Sequence, residues 1–133
     1  MHTDKYDENG QLKNGFFEEY YKNGTPSYQG NYIYGEKDGE WKYFLNNGQL
    51  QAIGNYVMGK MEGKWVWYRK TGELWQIGFF ENNTQTGIWQ RFHPNGNLFD
   101  EGEFINGKKA GEWKTYDEKG VLVKTKIYKT ANK

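Results

Sequence analysis

Glycine recurs along this chain with a fixed period of 24 residues. The series comprises Gly15, Gly39, Gly63, Gly87 and Gly111. Two residues after each of these glycines stands an aromatic residue: Phe17, Trp41, Trp65, Trp89 and Trp113. Repetition at this spacing indicates an array of small supersecondary units that bury apolar surface against their neighbours, and it argues against a fold with one deep core.

Further residues share the period and predict what each unit contains. A second glycine series closes the polar segments KNG, NNG, KTG, PNG and EKG, which are typical of a tight hairpin turn. Two more aromatic series follow the same spacing: Tyr20, Phe44, Tyr68, Phe92 and Tyr116, and Tyr32, Tyr56, Phe80, Phe104 and Tyr128. Each unit is therefore predicted to be strand, turn, strand, turn, with no helical period.

The connections between units carry two glycines around charged residues, as in YGEKDG and INGKKAG. In the third unit the first of these glycines is replaced by Asn83. Asparagine tolerates left-handed backbone better than other residues with a side chain, so we expect positive φ at this position.

In the second strand of a unit, Leu50, Gly54 and Tyr56 have the spacing of residues on one face of a sheet. A mid-strand glycine weakens a strand unless something approaches closely, so we expect the ring of the following unit to lie over it. Lys126 replaces this glycine in the last unit, where no unit follows. Pro26 replaces the leucine in the first full unit, which we interpret as an edge-strand position.

These patterns predict an all-β protein, with tandem β-hairpin repeats forming an elongated, twisted, single-layer antiparallel sheet. Ten strands would make a ribbon of roughly 50 Å. We expect one repeat domain over residues 1–133. Its units are 15–38, 39–62, 63–86, 87–110 and 111–133, after a partial repeat at 6–14.

The stretches GNYVMGKMEGKW and GEFINGKKAGEW, preceded by FLNNGQL and FHPNGNL, resemble MORN repeats in their bacterial variant form. The resemblance covers about residues 6–128 and implies a curved sheet of stacked hairpins. It implies two kinds of role. Eukaryotic MORN proteins are similar to lipid-associated or dimerising scaffolds, and many bacterial variants resemble the antitoxin or immunity partners of secreted toxins.

Charged residues are distributed unevenly along the array, and the net charge does not indicate a nucleic-acid partner. The formal net charge is +1, so no whole-molecule field selects nucleic acid. Residues 1–40 hold four basic and eight acidic groups, whereas residues 111–133 hold six and three. This gradient has two interpretations: solvated faces, or a polar partner that docks in one direction, including head-to-tail association of copies.

The sequence favours a cytoplasmic protein that is not an enzyme. Cysteine is absent, no apolar run approaches the ~18 residues of a membrane span, and MHTDKYDENG does not have the pattern of a signal peptide. A secreted or membrane-associated protein would require that a leader had been removed. The only histidines are His2 and His93, so we expect no nucleophilic catalysis, cofactor or metal site. Spacing alone leaves a carboxylate pair for glycoside hydrolysis open.

The aromatic residues that the repeat does not require are the candidates for binding. They are Tyr6, Phe16, Tyr21, Tyr28, Tyr34, Tyr43, Trp67, Trp75, Phe79 and Phe99. We predict a partner-binding surface around Tyr43, Trp67, Trp75 and Phe99, with contributions from Tyr28, Phe79 and the only arginines, Arg69 and Arg91. The alternative is that these rings cover the back of a sheet too thin to bury both faces.

The leading functional hypothesis is a non-enzymatic protein-binding scaffold of the antitoxin or immunity type, which occludes a partner toxin. A glycan- or choline-binding module is the alternative, because WYRKTGELWQIG is similar to aromatic hairpin repeats of secreted bacterial proteins and rings can cage quaternary ammonium. A third option is lipid association through Lys119, Lys124, Lys126, Lys129 and Lys133. These lysines could instead protect an edge strand from aggregation, and a homodimer is a further option.

Overall fold

A computed structural model describes residues 5–129, which contain one ten-stranded antiparallel sheet. The strands are β1 (Gly15–Tyr20), β2 (Pro26–Ile33), β3 (Glu36–Phe44), β4 (Leu50–Val57), β5 (Lys60–Tyr68), β6 (Leu74–Glu81), β7 (Thr84–Phe92), β8 (Leu98–Ile105), β9 (Lys108–Tyr116) and β10 (Leu122–Tyr128). Strands β2 to β9 each pair with the strand before and the strand after them in the chain, and β1 and β10 are the edges. The predicted all-β sheet of tandem hairpins is confirmed. His2 and Lys133 lie outside the described residues.

The turn inside each unit follows the predicted glycine chemistry. In the β3–β4 turn, Leu45 N donates to Gln49 O at 2.9 Å and Gly48 N donates to Leu45 O at 2.9 Å. Gly48 has a φ of 89°, as expected for a three-residue hairpin loop that ends in a left-handed residue. The other four units repeat these two hydrogen bonds at the equivalent residues.

The turn between units is shorter than predicted. Only Tyr34 and Gly35, with φ of 47° and 83°, separate β2 from β3, so most of YGEKDG belongs to β3. Asn83 takes the predicted positive φ, 72°, in the corresponding turn before β7. Gly39, which has a φ of 79°, lies inside β3 at an irregularity in the pairing.

This bulge places each tryptophan over the preceding unit. Between the pairs Gln29–Lys42 and Asn31–Asp38, β3 has two residues more than β2, and the extra length lies opposite Gly30. A Cβ atom added to Gly30 would lie 2.3 Å from the Trp41 ring, so only glycine fits. The same arrangement joins Gly54 to Trp65, Gly78 to Trp89 and Gly102 to Trp113. The predicted approach of the next ring to the glycine is confirmed.

Hydrogen bonds and burial complete this tryptophan ladder. The indole Nε1 of Trp41 donates to Asn31 O at 3.0 Å, and the equivalent bond recurs for Trp65, Trp89 and Trp113. All four tryptophans are buried. They form the core of the sheet, which therefore lies along one face and between units rather than between two layers.

Two strand-level predictions are wrong. Pro26 does not lie on an edge strand, because β2 pairs on both sides; its missing donor is tolerated because it is the first residue of the strand. Leu50 does not share a face with Gly54. The register shifts so that Tyr43 pairs with Ala52 but Phe44 pairs with Leu50, and this extra residue interrupts the alternation of faces.

A short hairpin precedes β1 at the first edge of the sheet. Asp7 N donates to Gln11 O at 2.7 Å, Tyr6 and Leu12 form an isolated bridge, and Lys13 N donates to Lys5 O at 2.9 Å. At the other edge, β10 pairs only with β9 among the described residues. The two ends of the array are therefore built differently.

Candidate functional site

The pairing register aligns one residue from each strand into a line across the sheet, which we call the cross-strand row. In order from β1 to β10 it consists of Glu19, Tyr28, Tyr43, Ala52, Trp67, Gln76, Arg91, Asp100, Thr115 and Lys124. Since residues opposite each other in antiparallel strands face the same side, the row lies on one face of the sheet. It runs beside the tryptophan ladder, because Tyr43 and Trp67 stand two residues after Trp41 and Trp65.

In the first half of the row, rings pack between ladder tryptophans. Tyr43 lies with its ring centroid 6.4 Å from that of Trp65, and Trp67 lies 6.1 Å from Trp65 and 5.6 Å from Trp89. The planes in these three pairs are inclined by only 31°. Tyr28 packs on Tyr43 at 6.1 Å. Each ring turns its face toward the next ring, so its edge is the part directed toward solvent, and Tyr28, Tyr43 and Trp67 are half-buried.

A small hydrogen-bond network fixes the centre of this half. The hydroxyls of Tyr43 and Tyr56 are 2.8 Å apart, and Lys37 Nζ donates to the Tyr43 hydroxyl at 3.1 Å. The Lys37 ammonium also lies 5.0 Å from the Trp41 ring centroid, within cation–π distance. Burial, followed by the hydrogen bond to Tyr56, raises the pKa of Tyr43 well above its ordinary value. The hydroxyl is therefore a neutral hydrogen-bonding group that orients its ring, and it is unsuited to act as a base.

The second half of the row is polar. Arg91 Nε and Nη2 donate to the two carboxylate oxygens of Asp100 at 3.1 and 2.6 Å, and this pairing raises the pKa of Arg91. Asp100 is only 6% exposed, and Arg91 is the ion-pair partner of its buried carboxylate. The Arg91 guanidinium also lies 5.0 Å from the Phe99 ring, whose other neighbour is His93 at 5.0 Å. The row thus changes from rings to charges between Trp67 in β5 and Arg91 in β7, with the neutral Gln76 of β6 between them.

A depression lies at each end of the row. The first, about 500 Å³, is lined by Tyr6, Asp7, Glu8, Asn9, Lys13, Phe17 and Glu19. The second, about 270 Å³, is lined by Arg91, Phe99, Asp100, Lys109, Trp113, Thr115, Lys124, Lys126 and Tyr128. We call them the acidic depression and the basic depression, because carboxylates predominate in the former and lysines in the latter.

This geometry agrees with a family comparison. The model of the MORN repeat variant matches residues 37–58, 61–82, 85–106 and 109–130, which begin 24 residues apart. The chain belongs to the MORN repeat variant family. A comparison with curated proteins found no match. MORN repeats suggest a repeat-based binding module, and the family is generally a non-catalytic binding repeat.

The MORN sheet brings together five of the residues that the sequence singles out. Tyr28, Tyr43, Trp67 and Arg91 belong to the cross-strand row, and Phe99 contacts Arg91. These side chains lie on the face of the tryptophan ladder. They do not cover the back of the sheet, which was the alternative interpretation for the aromatic residues beyond the repeat.

The structure does not bring the other three candidate residues into this set. Phe79 precedes Phe80 of the ladder face and so points to the opposite face. Trp75, at the bulge before the row residue Gln76, is 39% exposed and makes no ring contact with other described residues. Arg69 Nη2 donates to Phe92 O at 2.8 Å, so its guanidinium ties one MORN unit to the next. Partner binding by any of the eight candidate residues stays a prediction.

Sequence reasoning missed a series of lysines on the ladder face. Lys13, Lys37 and Lys109 stand four residues before Phe17, Trp41 and Trp113, and each ammonium lies within about 5.3 Å of that ring's centroid. Met61 and Gln85 occupy the same position in the two central units. The sequence contains a signal for these lysines, because their position recurs with the 24-residue period.

The described part of the chain offers no obvious metal centre. Among residues 5–129, no group of three or more His, Cys, Asp and Glu side chains is placed to hold a metal ion. Nor does any helix in that range have the length and hydropathy to cross a bilayer.

Proposed function

We propose that this MORN array is a protein-binding module of the antitoxin or immunity type, and that the partner protein covers the cross-strand row. The observation that carries the proposal is the half-exposed set of rings formed by Tyr28, Tyr43 and Trp67 on the ladder face. No second layer of the described chain packs on this face, since residues 5–129 contribute a single sheet.

The energetics favour a protein partner. Tyrosine and tryptophan are the side chains that most often dominate binding energy at protein interfaces, because they are large and lose little entropy on binding. Packing on the ladder already orders Tyr43 and Trp67, so little further entropy is lost when a partner covers them. Gln76 and Arg91 continue the row and supply polar groups beside the rings.

Ring orientation argues against glycan binding as the main role. Sugars stack on the open face of an aromatic ring, but the faces of Tyr43 and Trp67 are turned toward Trp65 and Trp89. The edges that remain accessible fit the apolar side chains of a protein better than the flat face of a hexose.

A direct test uses the proteins encoded beside this chain's gene. Each is co-expressed with the wild-type array, and growth rescue and the Kd of the purified pair are measured. We expect one of them to inhibit growth and to be neutralised by direct binding. If none binds or is neutralised, the antitoxin role is wrong.

Variants locate the binding surface. Trp67→Gln should weaken binding at least about tenfold, as expected for loss of an aromatic anchor. Gln76→Lys changes the row without removing a ring, and Gln90→Lys is its control on the opposite face, because Gln90 lies between Trp89 and Arg91 in β7. Thermal unfolding of each variant separates loss of binding from loss of fold. Equal effects of Gln76→Lys and Gln90→Lys would contradict binding through the row.

A further inference from the structure

The two depressions give the ladder face opposite charges at its ends. We propose that the basic depression binds carboxylate side chains of the partner protein while the acidic depression binds its basic side chains, so that the partner docks in one orientation only. This inference rests on the proposed function and names the chemistry of the partner surface. Its physical basis is the charge lining each depression.

The basic depression holds more positive charge than the chain itself neutralises. Four basic side chains and one carboxylate line it, and the carboxylate, Asp100, is already paired with Arg91. No carboxylate among the described residues lies within ion-pair distance of Lys109, Lys124 or Lys126. An anion that enters this depression would find three ammonium groups that no carboxylate of residues 5–129 already pairs.

Two of the three lysines, Lys109 and Lys126, are held by the rings beneath them. Lys109 Nζ lies 4.6 Å from the Trp113 ring centroid and 5.6 Å from that of Tyr128, and Lys126 Nζ lies 5.2 Å from Tyr128. These cation–π contacts restrict the ammonium groups to the ladder face. Thr115, at the row position between Asp100 and Lys124, adds a hydroxyl to the same depression.

The acidic depression has the reverse character. Three carboxylates, those of Asp7, Glu8 and Glu19, and one lysine line it. Asp7 accepts hydrogen bonds from Asn9 N and Gln11 N, so its position is set by the turn. Glu8 and Glu19 are exposed and available to a basic partner group.

The distance between the depressions favours a protein over a lipid headgroup or a free anion. They lie near β1 and β9, about eight strand spacings or ~40 Å apart. At physiological ionic strength fields decay over about 8 Å, so the two ends act independently and each requires its own charge on the partner. A folded protein surface presents fixed charges of both signs at this separation, whereas a phosphate or a headgroup would use the basic end alone.

The first test needs no partner protein. Hexaglutamate and hexalysine are titrated separately into the ¹⁵N-labelled full chain at low salt, and amide chemical shifts are followed. We expect hexaglutamate to shift amides around Lys109, Lys124 and Lys126, and hexalysine to shift those around Glu8 and Glu19. Shifts from either peptide that spread evenly over the array, or none at all, would overturn the assignment.

A matched pair of variants tests the basic end. Lys124→Gln removes one charge from the depression, whereas Lys114→Gln removes one on the opposite face of the same hairpin, since Lys114 lies between Trp113 and Thr115. We expect the Kd for hexaglutamate to rise about fivefold in the first variant and to stay unchanged in the second. Equal changes in both would mean that only the overall charge matters.

Two further titrations separate other sources of negative charge. Inorganic phosphate that binds the same amides as tightly as hexaglutamate would show an anion site without preference for a protein. Co-sedimentation with phosphatidylserine vesicles that is lost in Lys124→Gln, without any hexaglutamate binding, would replace the protein partner by a membrane. Either result overturns the inference.

Failure of the oriented docking can be distinguished from failure of the proposed function. If a neutralised partner is bound through Trp67 but is indifferent to Lys124→Gln, the protein-binding role stands and the oriented docking is wrong. If the peptides bind as expected and no partner is found, the charged ends are real and the antitoxin role is wrong.

Discussion

The interior unit that contains Trp41 and the last hairpin of the array share the glycine and aromatic spacing of the repeat but have different surroundings. Trp41 is fully buried, with Tyr32 and Tyr56 on its edges and Tyr28 and Tyr43 beside it. Trp113 at the end is 8% exposed and contacts the rings of Phe104 and Tyr128. In β10 every residue but Tyr128 is exposed.

This difference shows how a one-layer sheet obtains its stability. No opposing layer supplies burial within the described residues, so each tryptophan depends on the unit before it and the unit after it. The free energy of unfolding of such an array is approximately a sum of neighbour terms, and within residues 5–129 the last unit has a neighbour on one side only. We therefore expect a substitution in an interior unit to lower the free energy of unfolding more than the equivalent substitution in the last hairpin.

The largest difference is expected for removal of a ladder ring. Trp41→Ala should lower the free energy of unfolding by about 4 kcal/mol, because a fully buried indole is lost. Trp113→Ala should cost about 2 kcal/mol, since the last hairpin can open without the rest. Urea unfolding followed by circular dichroism gives both values. Equal costs would contradict the neighbour model.

Glycine substitutions test the same idea by steric conflict. A Cβ atom at Gly54 would lie 1.9 Å from the Trp65 ring, and one at Gly102 would lie 2.1 Å from Trp113. The clashes are similar, but opening the last hairpin relieves only the second. Gly54→Ala should therefore cost about 3 kcal/mol and Gly102→Ala about half as much. Hydrogen exchange should show faster exchange across the sheet in Gly54→Ala and only in β9–β10 in Gly102→Ala.

Alkaline pH should destabilise the interior unit that contains Tyr43 and Tyr56 more than the last hairpin. Burial raises the pKa of Tyr43 and, less strongly, that of Tyr56. The folded state thus holds these protons after the unfolded chain begins to lose them near pH ~10. The free energy of unfolding that these two hydroxyls contribute is fully present below pH ~10, and it declines as the pH rises further.

Tyr43→Phe should reduce this alkaline loss. Between pH ~10 and pH ~11 we expect wild-type protein to lose about 1 kcal/mol more than the variant, with Tyr56 left to titrate in both. Urea unfolding at pH ~8, where the phenols are neutral in both states, provides the baseline. A variant with the same pH dependence as wild type would show that Tyr43 is not the group concerned.

The smallest effect is expected on the edge strand. Ile127 is 65% exposed in β10, whereas Ile53 in β4 is half-buried between Lys42 and Val66. Ile127→Thr should change the free energy of unfolding by less than about 0.5 kcal/mol and Ile53→Thr by about 1 kcal/mol. A larger cost for Ile127→Thr would mean that β10 is covered in solution.

Much of the fold could be predicted from the sequence because its determinants are local and recur in every unit. Gly48 and Asn83 specify turns through backbone conformations that depend on neighbouring residues alone. The 24-residue spacing then specifies which ring meets which glycine, as for Gly54 and Trp65, because adjacent units contact each other in the same way. Strand number, strand order and the tryptophan ladder follow from these rules.

Only the tertiary structure decided which side chains share a face. Bulges interrupt the alternation of side chains between the two faces, so Leu50 does not share a face with Gly54. No local sequence rule predicts that shift. The Arg91–Asp100 pair and the two depressions join residues from different strands and from the hairpin before β1. Their placement depends on cross-strand register, which is set by the whole sheet, whereas the period reports only what each unit repeats.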